Sequence, residues 1–143
     1  MIYGSRTQDT RPLFFLSWKK FQQKQPLTAL EQQLAAVILD HPEYHAYLEH
    51  SASAAGFANG LGGIEHGNPF LHMGLHLALR DQVALDRPTG IANIYHALLK
   101  QHPTAHHVEH LMMEALAVCL WEANRTQRAP DDVAYLNACK ELI

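Results

Sequence analysis

The chain has 143 residues, of which 48% are hydrophobic and 17% are charged, and its formal net charge at neutral pH is −3. This length is enough for one domain with its own hydrophobic core, and this composition argues against intrinsic disorder. A weakly acidic chain without a basic stripe is not expected to bind nucleic acid, and no apolar run is long enough to cross a membrane. We therefore expect a single domain over residues 1–143, and the absence of a secretory signal pattern places it in the cytoplasm.

The first part of the chain predicts a polar arm followed by a helix. Residues 1–8 carry no hydrophobic period, which favours a loose arm. Asp9 or Thr10 can cap the helix that follows, with Pro12 in its first turn, where a missing amide costs nothing. This helix should end before Pro26, because proline cannot continue it.

Two further helices and a long loop come next. Thr28 and Glu31 form a capping box, in which each side chain satisfies a backbone amide of the other residue. The helix that begins there should end before Pro42, which can start a short helix through about His50. Residues 51–67 contain five glycines with little periodicity, so they predict a long Ala/Gly-rich loop, and long loops are often functional.

The second half begins with a nearly wholly apolar helix that Asn68 and Pro69 open and Arg80 ends. Apolar side chains around its whole circumference mark a central helix. Later caps and breaks predict three more helices, from about residue 91 to 101, from Thr104 to about Arg125, and after residue 130. The predicted fold class is all-α, a helical bundle of about six or seven helices.

Histidine is unusually common, with eleven in the chain, and several of them occur in clusters. His72 and His76 lie four residues apart on the apolar central helix, so both imidazoles share one face. The later long helix carries His107, His110 and Glu114 on one stripe. Leu111, Val118 and Trp121 share this stripe, so we expect it to be the buried face of the helix. We expect these two helices to meet in the bundle and to present a polar cluster between them.

A metal ion is the simplest way to satisfy such buried groups, because an imidazole or a carboxylate without partners is costly to bury. Pairs four residues apart can bind one ion, and imidazole nitrogens with a carboxylate suit a divalent zinc, iron or manganese ion. No catalytic residue is assigned, and metal-activated water or oxygen chemistry would be the natural class of activity. The predicted ligands are His72, His76, His110 and Glu114, with His107 and His45 in reserve.

Two other interpretations stand beside the metal site. The same side chains can be satisfied without a metal, by a hydrogen-bond network among themselves and with backbone carbonyls. The chain would then be a protein-interaction module that docks a protein partner or a second copy, through residues 51–67 or exposed apolar faces. His106, Glu109 and His110 also match the HxxEH pattern of inverted zinc peptidases, although so short a pattern matches easily by chance in a histidine-rich chain.

Three motifs together resemble an uncharacterised bacterial family catalogued as domain of unknown function 1841. They are Asn68-Pro-Phe-Leu-His72-Met-Gly-Leu-His76, Asp86-Arg-Pro-Thr-Gly-Ile91 and Glu109-His110-Leu-Met-Met-Glu114. The resemblance covers nearly the whole chain. It implies a small bacterial cytoplasmic protein and brings no assigned activity with it.

Overall fold

The computed structural model describes residues 7–50 and 68–143, and these form seven α-helices and one short 3₁₀ turn, with no strand. The all-α class predicted from periodicity is confirmed. The predicted loop over residues 51–67 lies outside the described residues, as does most of the predicted arm. The helices are α1 (Thr7–Gln22), α2 (Ala29–Leu39), α3 (His45–His50), α4 (Pro69–Leu85), α5 (Ile91–Gln101), α6 (Ala105–Thr126) and α7 (Asp132–Lys140), and the 3₁₀ turn is Pro42–Tyr44.

The predicted capping box at the start of α2 is present. Thr28 Oγ1 accepts a hydrogen bond from the Glu31 amide at 3.2 Å, and Glu31 Oε1 accepts one from the Thr28 amide at 2.8 Å. Lys20 Nζ of α1 also lies 2.9 Å from Glu31 Oε2. The backbone hydrogen bond from Thr28, followed by the hydrogen bond from Lys20, lowers the pKa of the Glu31 carboxyl. The Glu31 carboxylate therefore caps the start of α2 and also connects α1 to α2.

Side-chain caps also start α4, α6 and α7, as the sequence predicts. Oxygen atoms of Asn68, Thr104 and Asp131 accept hydrogen bonds from first-turn amides at 2.9, 3.1 and 3.0 Å respectively. Each cap satisfies an amide that has no partner within its own helix. These local signals explain why the predicted and observed starts of the three helices agree within a residue.

The start of α1 differs from the prediction. This helix already begins at Thr7, and Pro12 lies inside it instead of in its first turn. Proline removes one hydrogen bond from a helix interior and strains the preceding turn. Phe14 and Trp18, one turn apart, are only 1% and 5% exposed. Packing of this apolar face stabilises the helix more than the proline disrupts it.

Contacts divide the chain into two compact units, residues Met1–Leu77 (unit 1) and Ala78–Ile143 (unit 2), with the boundary inside α4. The prediction of a single domain stays a prediction. In unit 1 the core brings together α1, α2, α3 and the first half of α4, and the rings of Phe14 and Phe70 lie 5.4 Å apart. Its buried members are Phe14, Trp18, Leu34, Val37, Ile38, Leu48, Phe70, Met73 and Leu77.

Unit 2 contains the second half of α4 together with α5, α6 and α7. Arg80 Nε of α4 lies 3.1 Å from Glu109 Oε1 of α6, and Tyr135 of α7 donates a 2.6 Å hydrogen bond to Gln82 Oε1 of α4. The second half of α4 therefore contacts both α6 and α7 through polar side chains. Buried apolar residues of this unit include Leu79, Ile91, Ile94, Leu98, Val108, Met112, Leu116 and Cys139.

Candidate metal centre

Three histidines of unit 1 come together where α4 meets the end of α2. His72 and His76 lie one turn apart on α4, and His41 lies between α2 and the 3₁₀ turn. His41 and His76 are completely buried, whereas His72 is half-buried. We call His41, His72 and His76 the histidine trio.

The Nε2 atoms of the trio converge. His72 Nε2 lies 3.1 Å from His41 Nε2 and 3.2 Å from His76 Nε2. His41 and His76 also offer ligand atoms within 4.8 Å of each other. A ring nitrogen carries either one hydrogen or one lone pair, so His72 Nε2 can make only one conventional hydrogen bond in its ring plane. Hydrogen bonding between Nε2 atoms therefore accounts for one of the two short contacts and not for both.

The surroundings of His41 fix its orientation and its neutral tautomer. His41 Nδ1 lies 2.7 Å from the carbonyl oxygen of Val37. Because a carbonyl only accepts, Nδ1 must carry the hydrogen, which leaves the lone pair of neutral His41 on Nε2. The ring of Tyr44 stacks on the imidazole, with centroids 5.4 Å apart and planes at 9°. Metal-binding histidines are oriented in the same manner, by an acceptor for the second ring nitrogen.

The spacing of the trio suits a metal ion. Imidazole nitrogens bind zinc at about 2.0–2.1 Å, which places neighbouring ligands about 2.8–3.0 Å apart around an octahedral ion and about 3.3–3.4 Å apart around a tetrahedral one, so the whole range is about 2.8–3.4 Å. The distances of 3.1 and 3.2 Å fall in this range. The three rings are also steeply inclined to one another, with interplanar angles of 84°, 66° and 74°. His41 and His76 belong to a group of histidines whose ligand atoms lie close enough together to hold a metal ion.

Sequence reasoning found His72 and His76 and missed His41. The pair on α4 follows from its spacing alone, whereas no helical spacing connects His41 to that pair. Its position depends on Pro42, which ends the helix and lets the imidazole fold back onto the last turn of α2. A histidine beside a helix end can bond the last carbonyls, and this was the available signal.

His45, a predicted reserve ligand, packs elsewhere in unit 1. Its Nε2 lies 2.7 Å from the carbonyl oxygen of Ile38, and its ring lies 4.6 Å from that of Trp18. Glu49, four residues after His45, accepts a hydrogen bond from the side chain of Gln22. The assignment of His45 as a ligand stays a prediction.

The predicted histidines of α6 are arranged differently from the expected stripe. His110 pairs with His106, whose ring centroid is 4.2 Å away and whose ligand atom is within 4.8 Å. His107 and Glu114 are exposed, and the ring of His107 lies 5.1 Å from that of His102. The assignment of His110, His107 and Glu114 as metal ligands stays a prediction.

The buried face of α6 was predicted wrongly. Val118 and Trp121, expected to be buried with the histidines, are 62% and 60% exposed. Glu109 is instead turned inward, because its carboxylate pairs with Arg80 of α4. The buried residues of α6 are Val108, Glu109, Met112, Met113 and Leu116.

Glu109 does not behave as the base of an HxxEH peptidase. It is 6% exposed, and Arg80 Nε lies 3.1 and 3.3 Å from its two carboxylate oxygens. The pKa of the neighbouring Tyr95 phenol is raised, mainly because the phenol is partly buried and further because Glu109 is negatively charged. A carboxylate held by a guanidinium is a weak proton acceptor, so the geometry gives the peptidase interpretation no support.

Comparisons with known proteins bear on the family and not on the chemistry. No curated protein and no solved structure matches the chain. Within the described ranges, none of the helices has both the length and the apolar character that a bilayer crossing requires. The model of a family described as a domain of unknown function matches residues 6–141. The match covers most of the chain, which therefore belongs to the DUF1841 family.

Proposed function

We propose that the histidine trio binds a divalent transition-metal ion. One observation carries this proposal: His72 Nε2 lies 3.1 and 3.2 Å from two other imidazole nitrogens, and one ring nitrogen cannot hydrogen-bond to both. A shared cation satisfies all three lone pairs at once. His41 and His76, which are completely buried, would hold the ion away from solvent.

The donor set favours particular metals. Three imidazole nitrogens suit zinc and iron, whereas manganese, the third candidate from the sequence, prefers sites richer in oxygen. The sequence prediction adds His110, Glu114 and His107 of α6 as further ligands, and we retain it as part of the proposal. A bacterial and cytoplasmic setting is likewise retained from the sequence.

The residues of the trio would have different roles in binding the metal ion. His41 is held by the Val37 carbonyl, so it presents its lone pair without a change of tautomer. His72, half-buried, lies on the solvent-accessible side of the trio. A bound metal ion would supply Lewis acidity, which activates water or oxygen.

Elemental analysis of tag-free protein, purified without chelators, tests the proposal. We expect near-stoichiometric zinc or iron in the wild type and its loss in H72A and in H72A/H76A. H96A is the matched control, because His96 is exposed and lies in unit 2. Circular dichroism must show that each variant is folded. H110A and E114Q test the ligands predicted on α6, and each is expected to weaken metal binding at least tenfold.

Two results would contradict metal binding by the trio. A wild-type protein without metal, even after reconstitution with zinc, ferrous iron and manganese, would refute the proposal. A loss of stability in H76A with no change in metal content would point to the hydrogen-bond network of a metal-free interaction module.

A further inference from the structure

An open groove of about 820 Å³ runs between α6 and α7 in unit 2. We call it the α6–α7 groove. Its lining on α6 extends from Leu111 to Thr126, which corresponds to about 22 Å at the rise of an α-helix. This length matches about four turns of a docked helix. The groove contains no member of the histidine trio, although Glu114, which the sequence adds to the metal ligands, belongs to its lining.

The floor of the groove is apolar and made of small side chains. Five alanines belong to its lining: Ala115, Ala123, Ala129, Ala134 and Ala138. Small residues at a contact allow two helices to approach at the shorter end of the usual 8–10 Å interaxial range. The floor is therefore suited to a packed helix backbone.

Large apolar side chains are exposed beside this floor. Val118, which lines the groove, is 62% exposed, and Trp121 and Val133, which are next to lining residues in sequence, are 60% and 68% exposed. Val118 therefore adds exposed apolar surface to the groove itself, and such surface favours a protein contact. It also explains why the sequence pattern of α6 predicted a buried face here.

The charged side chains of the groove are mostly acidic. Three carboxylates line it, those of Glu114, Glu122 and Asp131, against one cation, Arg128. Arg125 offsets part of this charge, because its guanidinium lies 2.7 Å from Glu122. The lining contains no lysine. An occupant with positive charges beside an apolar stripe therefore complements the groove.

We propose that the α6–α7 groove binds an amphipathic helix of a partner protein, with its apolar stripe on the alanine floor and lysine or arginine along its flanks. This is the helix-in-groove mode of recognition, in which residues one turn apart anchor the ligand. The flanking positive charges meet Glu114 and Glu122, which are exposed and two turns apart on α6. The proposal does not depend on the metal site.

Binding of a synthetic peptide to the full-length protein tests it. The probe is a 15-residue leucine–lysine peptide, about four helical turns long, with the same peptide carrying glutamate for lysine as its counterpart. Acrylamide quenching reports on the site, because Trp121 is 60% exposed whereas Trp18 is 5% exposed. We expect the lysine peptide to protect Trp121 from quenching and the glutamate peptide not to do so.

Three variants separate binding in the groove from general attraction to an acidic protein. E122K should weaken the lysine peptide about tenfold at low salt, because reversing an exposed charge changes its interaction by about 1.4 kcal/mol. E49K makes the same change of charge outside the groove and should have little effect. A134F should block the floor and weaken binding at both low and high salt, and Ala134 is exposed, so the variant should fold.

Three outcomes would overturn the proposal. The glutamate peptide would bind as tightly as the lysine peptide, or E49K would lose as much affinity as E122K. The third is a protein that dimerises in sedimentation experiments and becomes monomeric in A134F, which would make a second copy the occupant.

Discussion

Removal of Arg80 should destabilise the protein, whereas removal of both partners of its ion pair should not. Arg80 Nε lies 3.1 Å from Glu109 Oε1, and the side chains of the two residues are 29% and 8% exposed. R80M leaves the Glu109 carboxylate buried without this guanidinium. In R80M/E109M the two charges are replaced by flexible apolar side chains of similar length.

The burial of the ion pair determines how much R80M should lower the free energy of unfolding. Breaking a fully buried ion pair costs about 3–5 kcal/mol, because one charge stays buried without its partner. Arg80 is partly exposed, so water can replace some of the lost interaction. We therefore expect R80M to lower the free energy of unfolding by about 2–3 kcal/mol, and R80M/E109M to lie within about 1 kcal/mol of the wild type.

Urea unfolding followed by circular dichroism measures both values. With a slope of about 2 kcal/mol per molar urea, the midpoint of R80M should fall by about 1–1.5 M. A midpoint for R80M within 0.2 M of the wild type, on the order of the precision of such data, would refute the reasoning. A double variant that loses the sum of the two single effects would also refute it, because it would show that the charges do not interact.

Three further predictions concern single side chains. Y135F should lower the free energy of unfolding by about 1–2 kcal/mol, because it removes the 2.6 Å hydrogen bond to Gln82 from a residue that is 3% exposed; an unchanged urea midpoint would contradict this. Burial raises the pKa of the Cys139 thiol to about 11, so in C119S a thiol reagent at pH 8 should react only after unfolding, and rapid reaction of the native protein would count against this. The pKa of Glu31 is lowered on folding, so its carboxylate stabilises the protein above its unfolded value of 4.5 and loses this effect as the pH falls through its folded value. E31Q should therefore melt lower than the wild type at pH 7, with the gap closing in acid, and a gap that does not change with pH would exclude this origin.

Features that depend on neighbouring residues in the chain were predicted well. Thr28 with Glu31, Asn68, Thr104 and Asp131 cap helices through side chains that reach only two or three residues ahead. Such contacts are fixed by local sequence, so the helix starts could be read from it. The pair on α4 was found for the same reason, because four-residue spacing determines a shared face.

Features that depend on distant residues were missed. Glu109 turns inward because Arg80, 29 positions earlier, pairs with it, and no periodicity in α6 shows this. Val118 and Trp121 were predicted to be core residues because an apolar stripe has the same pattern whether it meets a core or solvent. His41 was missed because its role arises from a change of chain direction at Pro42.

The end of α2 has a consequence for the lifetime of the protein. Val37 and Ile38 carry two of the last carbonyls of this helix, and the imidazoles of His41 and His45 cap them. His41 thus belongs both to a helix end and to the proposed metal site, so metal occupancy and local folding share one side chain. If the proposed site binds an ion, the ion would hold the His41 ring from its other nitrogen, and its loss would make this helix end easier for a protease to open. Turnover of the protein would then follow the supply of the metal.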